Sequence, residues 1–310
     1  MAAEARVRLV TGGRSGRFPE SASPLVESAG ARLLVDAGSP EAVAVAGGVD
    51  AVVYTHHHPD HIRGSHLVGA PEYSPEGESA YRSLRDLARR FAPGAWREWL
   101  STAATLIGAL RVPSGGYYRP GEDVCVRGIC LKTAPAPGHL ATHTLVELPG
   151  RILHLADIDL TSFGPWYGNP ESDPLQFLAD IELAASWDAR LYTTSHRPDT
   201  LARPEALREL ARYALRLVGQ AEAVYRAYES VGGPAAPGEL VGRGLVYPRI
   251  PRRGRRLYLY FEEVMVSKIS GLLAGLNCLR RTRRGYEARG SGCWALDKLR
   301  ERARGVEAYL

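Results

Sequence analysis

The segment Tyr54–His66, YTHHHPDHIRGSH, constrains this chain more than any other. Five of the nine histidines fall between His56 and His66. Imidazoles are polar and titrate near neutrality, so a cluster of them does not serve as core filling. In extended backbone His56 and His58 project to one side and His57 to the other. Pro59 bends the chain, and Asp60 and His61 follow from the turn. The pattern H-x-H-x-D-H therefore offers four converging donors. Imidazole and carboxylate are good zinc ligands, and two metals need more donors than this loop holds.

The rest of the chain supplies them. His139 lies in APAPGHLATH, just past a strand-like run and a Pro-Gly turn. Asp157 follows the apolar run RILHLA, and His196 ends ARLYTTSH. Each sits at the end of a strand-like segment, where a rigid scaffold can hold it. A further apolar run, ARLLVDAGSP, ends at Asp36-Ala37-Gly38.

Five pieces in this order, LLVDAG, THHHPDH, PGH, LHLAD and TTSH, resemble the metallo-β-lactamase superfamily over roughly residues 30–196. The resemblance implies an α+β fold, a four-layer αββα sandwich with a two-metal site along one edge of the paired sheets. By position, one metal takes His56, His58 and His139. The other takes Asp60, His61 and His196, and Asp157 bridges both. Asp36 matches a supporting acid. Asp159 is the rival to Asp157, which is preferred because it directly follows the apolar run. His57 is expected to point into the fold, His66 to lie on a helix outside the site, His143 in the pocket wall and His154 in the core. The family usually follows its histidine loop with two glycines. Here the sequence is HIRGSH, so Arg63 either affects substrate access or pairs with a nearby acid.

The chain organises into two parts. Residues 1–233 read as the catalytic domain, with a helical insertion at about 71–112 and a closing helix at about 204–231. In that helix Leu207, Leu210, Ala214, Leu215, Val218 and Tyr225 recur at helical spacing after Pro204. Residues 234–310 form a basic module whose helix-then-hairpin outline is winged-helix-like. Residues 241–310 carry sixteen Arg/Lys and six Asp/Glu, a net +10, leaving −5 on the other 240. Such asymmetry fits either a phosphate-rich partner or a solvated, internally paired Arg surface.

Composition sets the outer bounds. No apolar run reaches membrane-spanning length and no secretory h-region is visible, so a cytoplasmic location is the default expectation. Three Lys against thirty-six Arg, with two Asn and two Gln, fits heat adaptation or a GC-rich genome equally. VCVRGICL suggests a hairpin turning at Arg127-Gly128, with Cys125 opposite Cys130. Buried thiols are the expectation for the four cysteines. Disulfides Cys125–Cys130 and Cys278–Cys293 are the alternative.

The implied chemistry is hydrolysis. Two divalent ions, zinc first, with iron and manganese sharing these ligands, lower the pKa of a shared water and make hydroxide available. Asp60 both binds metal and orients that hydroxide. Arg63, Tyr117, Tyr118, Trp166 and Tyr167 are candidate substrate contacts. The expected substrate is a small ester or thioester, as in the glyoxalase II-like branch. One alternative is RNA, bound through the basic C-terminal module as in lactamase-like endoribonucleases. Another is a nucleic-acid-binding regulator with a vestigial metal site. No membrane partner is expected, and the sequence leaves homo-oligomerisation open.

Overall fold

A computed structural model describes residues 5–290 and 292–309. The first sheet runs in order β1 (Arg6–Val10), β2 (Ser23–Ser28), β3 (Ala31–Val35), β4 (Ala51–Val53), β5 (Glu72–Pro75) and β6 (Gly116–Tyr118). Its first three strands are antiparallel and β3 to β6 are parallel. The second sheet contains β7 (Val124–Val126), β8 (Ile129–Pro135), β9 (Thr144–Leu148), β10 (Ile152–His154), β11 (Leu191–Thr193) and β12 (Leu201–Ala202). Only β10 and β11 pair in parallel there.

Period-two alternation explains how these strands stack. Val26, Leu33, Val35 and Val53 point inward and meet Leu131, Val146 and Leu148 of the second sheet. Their neighbours Leu25, Leu34 and Val52 point outward into a second cluster. Helices α1 (Pro40–Ala46), α2 (Leu84–Phe91) and α3 (Trp96–Leu106) cover that outer face. On the far side, α4 (Pro174–Ser186) and α5 (Arg203–Val231) cover the second sheet with a continuous apolar face. The result is helix, sheet, sheet, helix, as expected.

The segment expected as a helical insertion at 71–112 is only partly helical. Glu72–Pro75 is strand β5, because its edge pairs with β4 and buries Ser74. The helices occupy residues 84–106. The pairing potential of a short polar strand is invisible to helical periodicity.

Beyond α5 come α6 (Arg255–Gly275), the hairpin of β13 (Leu279–Thr282) and β14 (Gly285–Ala288), and α7 (Trp294–Gly305). These elements share one apolar cluster with α4 and α5: Met265, Val266, Ile269, Leu273, Leu299 and Ala303 all join it. The C-terminal helical module is therefore packed onto the sandwich. Lys268 fastens it by donating to the carbonyls of Pro170 and Ser172.

All four cysteines, expected as buried thiols, are paired: Cys125 with Cys130 and Cys278 with Cys293. Arg127 and Gly128 adopt φ of 46° and 84°, the left-handed pair of a two-residue hairpin turn. That turn sets Cys125 opposite Cys130 in register, on the outward face of a strand pair whose inward face carries the buried Val124, Ile129 and Leu131.

Among the described residues, no helix is long and apolar enough to cross a membrane.

Candidate metal centre

The histidine loop begins where β4 ends. Asp36, at the end of β3, adopts φ of 60° and turns its carboxylate back over the loop. Its Oδ1 accepts the Thr55 amide at 2.7 Å; its Oδ2 accepts the Thr55 hydroxyl at 2.9 Å and contacts His61 Nδ1 at 2.8 Å. Three bonds to one fully buried carboxylate fix both ends of the segment from Thr55 to His61.

The two sheets then bring distant donors to the loop. His139 follows β8, Asp157 follows β10 and His196 follows β11. His56, His58, His139 and Asp157 form one group of potential ligand atoms, all within 4.8 Å of one another. Asp60, His61, Asp157 and His196 form a second on the same criterion. Asp157 belongs to both, one oxygen to each: its Oδ2 lies 3.0 Å from His139 Nε2, and its Oδ1 lies 2.8 Å from His61 Nε2. His196 Nε2 lies 3.2 Å from Asp60 Oδ2.

The donor chemistry fits cations between these groups. In four of the five rings, the nitrogen that faces away from the cluster is held by an oxygen. His56 Nδ1 meets the Thr55 hydroxyl, His61 Nδ1 meets Asp36, His139 Nδ1 meets the Trp166 carbonyl at 3.0 Å, and His196 Nδ1 meets the Gly16 carbonyl at 2.9 Å. Bonds of this kind set the tautomer and turn the Nε2 lone pair inward. His56 Nε2 is buried without any hydrogen bond and lies 3.6 Å from Asp157 Oδ2. A lone pair aimed at a buried carboxylate is repulsive unless a positive charge lies between them.

The electrostatics agree. Burial, followed by the neighbouring His61, keeps His56 neutral well below the usual imidazole range. Burial likewise lowers His58 to about 4, against the Asp157 hydrogen bond. For His61, burial opposes charge, but Asp157 and Asp36 flank the ring and raise it well above the ordinary value. His196 is also opposed by burial, but Asp60 and Asp157 raise it to about 10. The carboxylate field that favours a proton on these rings favours a divalent cation equally.

Other polar residues fall into place around this centre. His143, expected in the pocket wall, is a buried buttress. Its Nδ1 bonds the Ala136 carbonyl at 2.9 Å, and its Nε2 accepts the Asp157 amide at 3.0 Å. Burial lowers it to about 3, which keeps that acceptor available. His57 points into the fold against Ser74 Oγ at 2.8 Å, His154 is a buried partner of Thr193 Oγ1, and His66 is exposed on a single turn. Asp159 joins neither cluster and instead accepts the Thr161 amide at 3.0 Å.

Of the candidate substrate contacts, only Trp166 reaches the cavity beside the metal donors. Arg63 pairs with Glu20 at 2.9 Å and with the Ile107 carbonyl, tying the histidine loop to the chain end of α3. Tyr118 is buried with its hydroxyl on the Tyr54 carbonyl, while Tyr117 faces out of the same strand β6. Tyr167 is fully buried and bonds Gln220 Oε1 at 2.7 Å. In both aromatic pairs, strand or loop geometry turns these tyrosine rings away from the opening.

Sequence reasoning missed one network. Arg90 of α2 is buried between Glu78 and Glu171, with 2.7 Å bonds to each. It also donates to Thr142 and lies 4.2 Å above the Tyr81 ring. Glu78 in turn accepts the His57 amide at 3.3 Å. A buried Arg inside an Arg-rich helix carries no sequence signal of its own.

Residues 20–201 match the family model of the metallo-beta-lactamase superfamily. The chain belongs to that superfamily. Among solved structures, it is similar to a metallo-beta-lactamase family protein of Thermus thermophilus, at 22% identity and a TM-score of 0.66 over 91% of this chain and 98% of that one. A beta-lactamase domain protein of Burkholderia ambifaria gives 18% identity and a TM-score of 0.63 over 93% and 94%. Both likenesses extend past the family-model match into the C-terminal module, so the fold they share includes it. No curated protein matches the chain. Superfamily membership together with the two His/Asp clusters makes this protein a metal-dependent hydrolase.

Proposed function

We propose that the protein is a dinuclear hydrolase of small esters or thioesters, with zinc the metal best suited to its donors. His56, His58 and His139 would hold one ion, Asp60, His61 and His196 the other, and Asp157 would contact both. Two divalent ions there would supply an activated water at neutral pH and stabilise developing oxyanion charge. Asp60 lines the cavity and faces His196, so its carboxylate can hold and orient a proton of that water. The complete donor set argues against a regulator with a vestigial site.

The observation that carries the reading is a pair of donor clusters sharing Asp157 and opening on an apolar cavity. A phosphodiester substrate calls for a cationic groove leading to the metals. Among the described residues, Arg17 is the one Arg or Lys lining this cavity, and its walls are mainly aromatic and aliphatic. The bulk of the basic residues in the C-terminal module lie elsewhere.

The test uses purified protein on an acyl-thioester and on single-stranded RNA, with and without chelator, across a salt series. Chelator-sensitive, salt-indifferent thioester turnover is the expected result. RNA cleavage that fades with salt, without thioester turnover, refutes the substrate assignment. Elemental analysis finding no metal in folded protein, and no uptake, refutes the centre itself.

A further inference from the structure

We propose that the cavity at the metal centre receives an extended apolar acyl chain, and that α3 and α6 together set its length. The proposal rests on the ester or thioester reading above and names the substrate class within it. The cavity has a volume of about 430 Å³ and begins at the donors His58, Asp60, His139 and His196. At roughly 30 Å³ for each water-sized group, such a space holds on the order of a dozen methylenes.

Its chemistry changes sharply with distance from the metals. The carboxylates of Asp60, Asp157 and Asp159 gather at one end. Apolar lining begins at once beside them, with the Phe91 ring 4.6 Å and the Trp166 ring 5.7 Å from that of His58. The chain must therefore be attached directly to the reacting carbonyl, with no polar spacer. Trp99, Ala103 and Leu106 of α3 and Leu257 and Phe261 of α6 line the same space and belong to one apolar cluster. Trp166 Nε1 donates to the Tyr247 hydroxyl at 2.8 Å, so the one polar atom of the indole is satisfied and the ring adds apolar surface to the wall. The one guanidinium, Arg17, is on an exposed residue.

This arrangement gives the C-terminal module a task that its charge conceals. Helix α6 turns its basic start outward and closes the acyl cavity with Leu257 and Phe261. The helix cannot drift from the opening, because Lys268 is tied to the segment that follows Trp166 and Phe261 packs 5.2 Å from the Trp166 ring.

The experiment is a chain-length series of 4-nitrophenyl esters, from acetate through butyrate and octanoate to dodecanoate, on the metal-loaded protein. Burial of one methylene raises kcat/KM roughly fourfold. Octanoate should then exceed butyrate by on the order of a hundredfold, with a plateau where the cavity is full. Ala103→Trp, which fills the space from α3, should cut the octanoate-to-butyrate ratio at least tenfold. Phe261→Ala, which enlarges it from α6, should move the preferred chain longer. A flat profile across the series overturns the acyl-chain proposal and leaves the hydrolase reading intact. If no ester or thioester turns over, the ester and thioester reading falls, and calorimetry of octanoate against butyrate decides the proposal alone. Octanoate at least tenfold tighter supports it; equal affinities overturn it.

Discussion

Asp36 touches no donor-facing nitrogen, yet the geometry makes it a controlling residue for the metal centre. Consider Asp36→Asn, nearly isosteric. The carboxylate accepts at both oxygens: the Thr55 amide on Oδ1, the Thr55 hydroxyl and His61 Nδ1 on Oδ2. An amide has one accepting oxygen. Whichever way it is turned, its NH₂ faces either the Thr55 amide or the His61 Nδ1–H, a buried donor-donor contact. Relief comes by moving the His61 proton to Nε2, which removes that nitrogen as a ligand. The Thr55 hydroxyl also meets His56 Nδ1 at 3.0 Å, so the disturbance reaches both clusters. Loss of such an orienting contact costs roughly 10- to 100-fold in metal affinity, or about 1.4–2.7 kcal/mol. The assay is zinc competition against a chromophoric chelator, resolved into two sites, with far-ultraviolet circular dichroism as a control on folding. The weaker binding should be greatest at the site containing His61. Two sites each within about threefold of the parent protein would refute the reasoning.

Three further outcomes follow from other residues. Arg90→Met leaves Glu78 buried without its cation, at a cost of about 3–5 kcal/mol; the Tm should fall by several degrees, and adding Glu78→Gln should recover part of the loss, a double-mutant cycle that an additive result would contradict. Asp180 is 2% exposed, and burial raises it to about 6, so the folded state holds its proton more tightly than the unfolded chain. Its contribution is fully present below about pH 4 and is lost as pH rises through about 6, so Asp180→Asn should gain thermal stability over the parent protein between those values, and a pH-independent gap would count against it. Thiol titration of unreduced, denatured protein should find no free cysteine, and reduction should cost about 3 kcal/mol for the loop closed by Cys278 and Cys293; four reactive thiols would contradict the pairing.

How much of this is legible in the sequence depends on the range of the interaction. The seven donors can be named from sequence because they lie just past four strand-like apolar runs, four of them in the one H-x-H-x-D-H loop, and strand ends are where a sandwich delivers side chains to its edge. Asp36 is legible for the same reason. His143 is not, because spacing from His139 says nothing about which amide its Nε2 will reach; only the Asp157 turn supplies that partner. Tyr117 and Tyr118 read as pocket residues because nothing in PSGGYYRP marks β6 as a strand. Once paired with β5, period-two geometry sends one ring into the core and the other to solvent. Arg90 is hidden for a different reason. Burial of a guanidinium needs two carboxylates from separate loops, Glu78 and Glu171, and their convergence is a tertiary fact.

The +10 charge of residues 241–310 is the main support for an RNA substrate, and the fold gives that charge a different weight. Part of it is spent within the protein: Arg302 pairs with Glu182, Arg300 with Glu222 and Arg280 with Glu287. Arg283 and Arg284, at the tip between β13 and β14, are exposed and belong to no wall of the cavity. Reversing both, Arg283→Glu with Arg284→Glu, separates the readings. For an acyl substrate entering between α3 and α6, turnover should stay within about twofold, because surface charges act weakly through a Debye length of about 10 Å. For RNA, each lost phosphate contact should lower the salt slope of binding by about one and weaken cleavage at moderate salt by roughly tenfold or more. Thioester turnover unchanged by the double reversal but cut by Ala103→Trp would place selection in the apolar cavity. RNA cleavage abolished by the reversal, with the esters untouched by either enzyme, would place it on the basic surface and overturn the argument from the cavity walls.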